Sequence, residues 1–417
     1  MTSSFSRLGS ANIHDNALRN ISGRQSALSK LQENLTSGKR VVRASDDPTG
    51  AAQAERALNR ISRIQTDQRA LESQRNSIAM AESTLGDVTS ALQNFRELVV
   101  SAGNGTQTAL DRKTIALQLM GLRDQILSLS NTKDTNGQPL FSALGSALAP
   151  FVGPQATAPD YRFDGLPGQS ASSEVAIPFA LDGDSAFMLH SSRDGAYNVS
   201  TSAIPATRQL LTSAVAVTNT SLVTGSTYTL TIGTVDTTTV PGTTTVTYDI
   251  TENPNVTGPF AGLTASYPST QTGSIAVTAM PGLSLTITGT PAAGDTVTID
   301  PSPSIFSVLD DAIRDIGSAV SGNAATQAVS QALHNIDIGM GRVSAVRGQA
   351  GDLLNRADRI TDNQTKRSIQ LEADRSRAED LDMVKGISDF QNQQTGYQAA
   401  LQSYAQVQKL SLFNYIG

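Results

Sequence analysis

The side chains that most often carry chemistry are sparse and scattered in this sequence. Three histidines, His14, His190 and His334, stand far apart in segments of different expected structure, and no two have metal-ligand spacing. Each reads as a structural or exposed imidazole. Cysteine is absent, which removes thiol catalysis, disulfides and Cys-ligated metals together. Serine and threonine are plentiful, yet no G-x-S-x-G elbow presents one as a nucleophile, and no P-loop occurs. Gly103-Asn104-Gly105 and Gly339-Met340-Gly341 lack the third glycine of a dinucleotide fingerprint. Two adjacent carboxylate pairs remain, Asp46-Asp47 and Asp310-Asp311. Neighbours in sequence point apart on a helix, so both pairs read as helix caps rather than acid/base couples. No catalytic, cofactor-binding or metal-binding residue is assigned, and no enzyme is expected.

Partners of extreme charge are disfavoured as well. A net charge of -6 gives no field to recruit nucleic acid. The longest basic stretch, Lys39, Arg40 and Arg43, is interrupted by Val41 and Val42 and reads as a solvated turn, with anion binding as the alternative. No run of 18 apolar residues suggests a membrane span, and the N-terminus lacks the basic, apolar and small-residue regions of a cleavable secretory signal.

What the sequence does carry is a layout of two helical arms around a β-rich middle. Leu18, Ile21, Leu28, Leu31 and Leu35 fall on one helical face, with Gln25 in the slot between Ile21 and Leu28. Ser37-Gly38 ends that helix, and Asp46-Asp47-Pro48 starts another, with a carboxylate as cap and Pro at the first helical position. From Pro48 an apolar period runs through Leu58, Ile61, Ile64, Leu71, Ile78, Leu85, Val88, Leu92, Phe95, Leu98 and Val99 without a proline. About 50 residues at 1.5 Å rise make a helix of roughly 75 Å, too long for a compact globular core. After Gly103-Asn104-Gly105, a third helix from about Leu110 to Ser130 is expected to fold back on the second. Asp134-Thr135-Asn136-Gly137 then supplies a turn.

Beyond Pro150 the texture becomes rich in Pro, Gly, Ala and Thr. Period-two runs at 228–232, 245–248, 275–277, 283–287 and 297–299, bounded by Gly and Pro, read as antiparallel strands with one buried and one Thr-covered face, in two lobes meeting near Ala203 to Leu211. Helical periodicity returns with Phe306, Leu309, Ile313, Ile316 and Val320 and continues through Leu333, Ile336, Val343 and Val346. The last segment carries Ile387, Phe390, Tyr397, Leu401 and Tyr404, then Leu410, Leu412 and Phe413. Its missing slot falls at Gln394, echoing Gln25. Either these glutamines set helix register in an assembly, or both face solvent at a stutter. The fold class is thus a mainly α rod, with long coiled-coil-like helices from both termini and a central antiparallel β domain. Its domains are expected as the terminal helices 1–44 with 366–417, the helical rod 45–145 with 303–365, and the β-rich 146–302. The fifteen seam residues, Leu18, Ile21, Gln25, Leu28, Leu31, Leu35, Ile387, Phe390, Gln394, Tyr397, Leu401, Tyr404, Leu410, Leu412 and Phe413, are the candidate assembly site.

The stretch from Leu35-Thr36-Ser37-Gly38-Lys39-Arg40 to Ala44-Ser45-Asp46-Asp47-Pro48 resembles the N-terminal signature of the flagellin superfamily. The form Asp46-Asp47-Pro48 is similar to the hook-associated protein 3 branch, as are Asn104-Gly105-Thr106, Asp111-Arg112, Gly121-Leu122-Arg123-Asp124-Gln125, Asn131-Thr132, Asn136-Gly137 and the ending Leu410 to Ile416. In the middle, Pro291-Ala292-Ala293-Gly294-Asp295-Thr296 looks like a segment from the outer domain of longer members. The resemblance implies export unfolded through the flagellar type III channel and an extracellular place at the hook-filament junction. It implies as partners hook-associated protein 1, flagellin, further copies in a ring and an export chaperone. A flagellin forming the filament, or a secreted enzyme or adhesin using the β domain, are the alternatives.

Overall fold

The computed structural model describes the backbone of residues 4–203, 208 and 210–416, and the side chains of that range apart from 4–11, 13, 407 and 409–416. The chain is mainly helical with a central antiparallel β portion, and it divides into two compact units, residues 1–69 with 361–417 and residues 70–360. Two long helices, α2 (Pro48–Ala102) and α7 (Gly322–Glu379), contribute to both. Neither contains an interior proline, so the backbone ladder continues unbroken along each.

In the first unit α1 (Ser4–Ser37) pairs antiparallel with α8 (Met383–Ile416). A small apolar cluster of Ile61, Ile64 and Leu371 joins the portions of α2 and α7 that belong to this unit.

The second unit holds the larger helical core, where α2 and α7 run antiparallel, as the half-exposed pairs Arg75–Asp358 (3.1 Å), Glu82–Arg347 (2.7 Å) and Arg96–Asp337 (3.0 Å) require. Ile78, Leu85, Val88, Leu92, Phe95 and Val99 of α2 are fully buried there, which is the sequence stripe at work. Helix α3 (Ala109–Ser130) starts with a capping box, Thr108 and Asp111 bonding each other's backbone N–H. It does fold back along α2, since Ser77 Oγ donates to Asp134 just past its far end at 3.0 Å. Its closest backbone neighbour, however, is α6 (Ile305–Ser318) rather than α2. The reason is size: Gly317 of α6 would place a Cβ 3.2 Å from that of Ala116, and small residues let helices approach. The expected turn is present, with Gly137 N–H donating to the Asp134 carbonyl at 3.0 Å and Gly137 in the left-handed region.

Residues 140–196 lie together, and from 146 onward they differ from the expectation of β structure. They form only a two-stranded ribbon, β1 (Phe151–Val152) with β2 (Arg162–Phe163), and two short helices, α4 (Gly183–Phe187) and α5 (Ser191–Asp194). Their apolar side chains Phe141, Phe151, Tyr161, Ile177, Leu181 and Phe187 enter the helical core. Phe306 is the centre of this infill. Its ring centroid lies 5.6 Å from Phe151, 5.2 Å from Tyr161 and 5.8 Å from Phe187.

The remaining strands are β3 (Tyr197–Ser202), β4 (Leu210–Thr212), β5 (Ala216–Val217), β6 (Thr227–Asp236), β7 (Thr243–Asn253), β8 (Phe260–Pro268), β9 (Gly273–Val277), β10 (Leu283–Gly289) and β11 (Thr296–Pro301). One sheet has the order β3-β11-β6-β7-β8; in the other, β10 pairs β4 and β5 on one side and β9 on the other, all antiparallel. Tyr228, Leu230, Ile232, Val246, Ile250, Val297 and Ile299 of the first sheet meet Ile275, Val277, Leu283, Leu285 and Ile287 of the second in one core, so the two sheets do not form separate lobes. The stretch where lobes were expected to meet, Ala203 to Leu211, contains residues 204–207 and 209, which lie outside the described residues.

Candidate assembly surfaces

The breaks of the two arms lie against each other. Gly38 adopts φ +70°, open to glycine without strain, and turns the chain out of α1. Residues 38–41 then pair with the α7–α8 junction: Arg40 N–H donates to the Glu379 carbonyl at 2.7 Å, Val41 N–H to the same oxygen at 3.2 Å, and Leu381 N–H to the Gly38 carbonyl at 2.9 Å. Every cation of the basic stretch is taken by a carboxylate of this unit. Lys39 pairs with Glu379, Arg43 with Glu33 at 2.7 Å, and Arg40 with Asp47 at 3.2 Å while also donating to the Ala378 carbonyl at 2.8 Å. The turn is thus an internal clasp rather than a free anion site.

Asp47 is the cap expected for α2, accepting from Thr49 N–H at 3.2 Å and Gly50 N–H at 3.0 Å. The Gly50 and Thr49 bonds, with help from Arg40, hold its carboxyl down at about 2. Gly50 is required by proximity, since a Cβ there would lie 2.5 Å from Asp47 Oδ2 and 3.1 Å from the Ala378 carbonyl.

The α1/α8 pair is in contact from His14 to Leu35 of α1. Tyr404 Oη lies 3.0 Å from His14 Nε2, Gly396 admits the Arg24 guanidinium, and Gly386 admits Leu35. Ile21, Leu28, Leu31, Leu35, Phe390, Tyr397 and Tyr404 are half-buried, whereas Leu18, Ile387 and Leu401 are exposed. Gln25 and Gln394 are both exposed in the single chain. The side chains of Leu410, Leu412 and Phe413 lie outside the described residues. Among the described residues, no apolar side chain of α1 or α8 is fully buried.

The second carboxylate pair behaves differently from its expected capping role. Asp310 and Asp311 sit inside α6, whose cap is Ser304, accepting from Ser307 N–H at 3.0 Å. The aspartates face opposite tasks because one reaches the aromatic infill. Asp310 accepts from the Tyr161 hydroxyl at 2.6 Å and from Arg123, and Arg123 also donates to Tyr161. Tyr161 is fully buried, which pushes its hydroxyl up, and Arg123 is nearly so. On the same face of α3, buried Arg112 donates to the Ala319 carbonyl at the end of α6 at 2.9 Å and to the Gln107 carbonyl at 2.8 Å. Sequence reasoning missed both arginines as structural residues. The signal was present: positions 112 and 123 share the buried stripe of Ile115, Ala116, Leu119 and Ile126, so each cation interrupts an apolar series.

Burial pushes the Asp311 carboxyl up to about 6, with Arg314 at 2.8 Å offsetting part of the effect and Asp315 and Asp160 adding to it. Between about pH 4 and 6 the folded chain therefore holds a proton that the unfolded chain has released, and this group's contribution to stability falls as pH rises through that window. Replacing Asp311 with Asn is expected to raise stability at pH 7 relative to pH 4 by on the order of 2 kcal/mol, read from urea midpoints at the two pH values. An unchanged difference between the two midpoints would show that Asp311 does not titrate there.

Among the described residues, no helix is long and apolar enough to cross a membrane, and no cluster of His, Asp and Glu is placed to hold a metal ion. Comparison with known proteins then places the chain. The family model of the bacterial flagellin N-terminal helical region matches residues 10–145 and that of the C-terminal helical region residues 333–416, together more than half of the 417 residues. Flagellar hook-associated protein 3 of Escherichia coli (strain K12) is 37% identical over 149 residues, 35% of this chain and 46% of that protein. A flagellin of Clostridium tyrobutyricum is 35% identical over 126 residues, 30% of this chain and 33% of that protein. The chain thus spans about half the length of the hook-associated relatives it matches, or less for the flagellin. Among solved structures, the flagellar junction protein from Legionella pneumophila superposes with a TM-score of 0.58 at 26% identity, over 73% of this chain and 99% of that one. With both helical arms matched and the fold shared, the chain belongs to the flagellin superfamily, a structural protein of the bacterial flagellum similar to hook-associated protein 3.

Proposed function

We propose that this chain is the adaptor of the hook-filament junction, joining hook-associated protein 1 on one side to flagellin on the other as a ring of copies outside the cell. The observation that carries an assembly role is the α1/α8 pair, none of whose described apolar side chains is fully buried in the single chain and whose Leu18, Val384, Ile387 and Leu401 are exposed. Such a pair gains its burial from neighbouring copies, and that gain offsets the entropy of ordering it. In this reading the seam runs along Leu18, Ile21, Leu28, Leu31 and Leu35 and along Ile387, Phe390, Tyr397, Leu401, Tyr404, Leu410, Leu412 and Phe413, with Gln25 and Gln394 setting register only in the assembled ring. Residues 1–44 and 366–417 form its inner layer and the flanking helices the next. The outward β portion begins near Tyr197, because residues 140–196 share the helical core. Release through the type III channel with the help of an export chaperone belongs to the same reading.

The junction is favoured over the filament by the solved junction protein, nearly all of which this chain matches, and by the hook-associated relatives. A filament-forming flagellin remains the second reading, because a flagellin matches at similar identity over 126 residues. Immunogold labelling of intact flagella separates the two. One band between hook and filament is expected, whereas label along the whole filament would make the chain a flagellin. Removing residues from Leu410 onward is expected to abolish incorporation while the 70–360 unit stays folded; normal incorporation would count against the terminal seam.

A further inference from the structure

The five-stranded sheet has two edges, and they are finished in different ways. On β8 the edge carries Pro268, which has no N–H to offer, and a register irregularity between Tyr248 and Ile250 of β7, where Gly262 turns with φ +66° and donates to Asp249 at 2.7 Å. Proline and irregularity are ordinary ways to blunt an edge. The β3 edge has neither. Ser302 N–H donates to the Ala196 carbonyl at 3.0 Å, and the register continues from there, so Asn198, Ser200 and Ser202 bond towards β11 while Tyr197, Val199 and Thr201 turn their backbone groups away from it.

Helix α7 supplies partners for that outward row. Gln331 Oε1 accepts from Val199 N–H at 3.4 Å, and Asn335 Nδ2 donates to the Tyr197 carbonyl at 2.9 Å. One acceptor and one donor, flanking residue 198, are what a single residue of a parallel neighbouring strand would present. The same Gln331 amide donates to Thr212 Oγ1 of β4 at 3.1 Å, and Gln327 donates to that hydroxyl at 3.0 Å, so the side chain spans both sheets. Gln327, Gln331 and Asn335 recur every four residues on one helical face, and Gln331 and Asn335 are only 5% exposed. Buried amides on a helix otherwise lined by Ala328, Val329, Ala332 and Ile336 cost desolvation unless each is bonded, and here they are. We propose that Gln331 and Asn335 stand in for a missing strand, closing the β3 edge against strand addition by a second copy of this chain.

The test compares the full-length wild type with Gln331→Met and with the double variant Gln331→Met/Asn335→Leu. Hydrogen exchange at the Val199 amide is expected to quicken at least tenfold in Gln331→Met, while the central-strand amides of Leu230 and Ile250 exchange as in wild type and so report an intact sheet. Light scattering is expected to find the double variant forming larger species at a concentration where wild type shows fewer. Unchanged exchange at Val199, or a double variant with the association state of wild type, would overturn the proposal. Should Gln331→Met loosen the central strands as well, Asn335→Leu alone decides by light scattering: added association supports edge closure, and wild-type behaviour refutes it.

Discussion

Replacing Arg123 with Ala is expected to cost about 3–5 kcal/mol in the 70–360 unit, because it leaves the carboxylate of Asp310 and the buried hydroxyl of Tyr161 without their shared cation. A single nitrogen, Nη1, donates to both partners, and Asp124 lies 2.8 Å from Nε as an ion-pair neighbour. A lysine supplies one point charge and is expected to recover little of the loss. An apolar pair should recover more: Arg123→Leu with Asp310→Leu removes both charges together and is expected to lie closer to wild type than Arg123→Ala. Hydrogen exchange of the β1–β2 ribbon reads the effect locally, since Tyr161 ties that ribbon to α3 and α6. Arg123→Ala with wild-type exchange over residues 151–163 would show that the ribbon is held by its aromatic packing alone.

Truncating Phe306 to Ala is expected to cost about 3–5 kcal/mol, the loss of a fully buried ring together with the cavity left behind. Three aromatic partners add to that, because Phe151, Tyr161 and Phe187 all meet this one ring. Phe306→Leu keeps much of the volume and is expected to cost under half as much. The two sites are coupled through Tyr161, which bonds Arg123 and packs on Phe306, so the double variant Phe306→Ala/Arg123→Ala should lose less than the sum of the single variants. Strict additivity would mean that the two contacts hold separate parts of the ribbon.

Where the sequence is periodic and unbroken it reads well. The 55 residues of α2 are legible because apolar positions recur at helical spacing from Leu58 to Val99 with Asp47-Pro48 at the start and Gly103 at the end. The strands β6, β7, β10 and β11 alternate Leu, Ile, Val and Tyr with Thr, and they lie where the alternation does. Strand β8 was not legible, since its inward residues Leu263, Ala265 and Tyr267 are only partly covered and Gly262 breaks their phase. Phe151, Tyr161 and Phe187 follow no period at all, so nothing local assigns them to the helical core instead of the β portion; only their meeting at Phe306 does. Of the candidate seam, the faces of α1 and α8 were legible from spacing. Spacing does not say what covers the exposed Leu18, Ile387 and Leu401.

His14 and Tyr404 touch across 390 positions of sequence. In a chain synthesised from its N-terminus at roughly 5–20 residues per second, α1 waits on the order of 20–80 s before its partner exists. Local contacts can close early, and this one cannot. Pairing of α1 with α8 therefore cannot precede synthesis of the residues around Tyr404, whatever the rest of the fold has done by then.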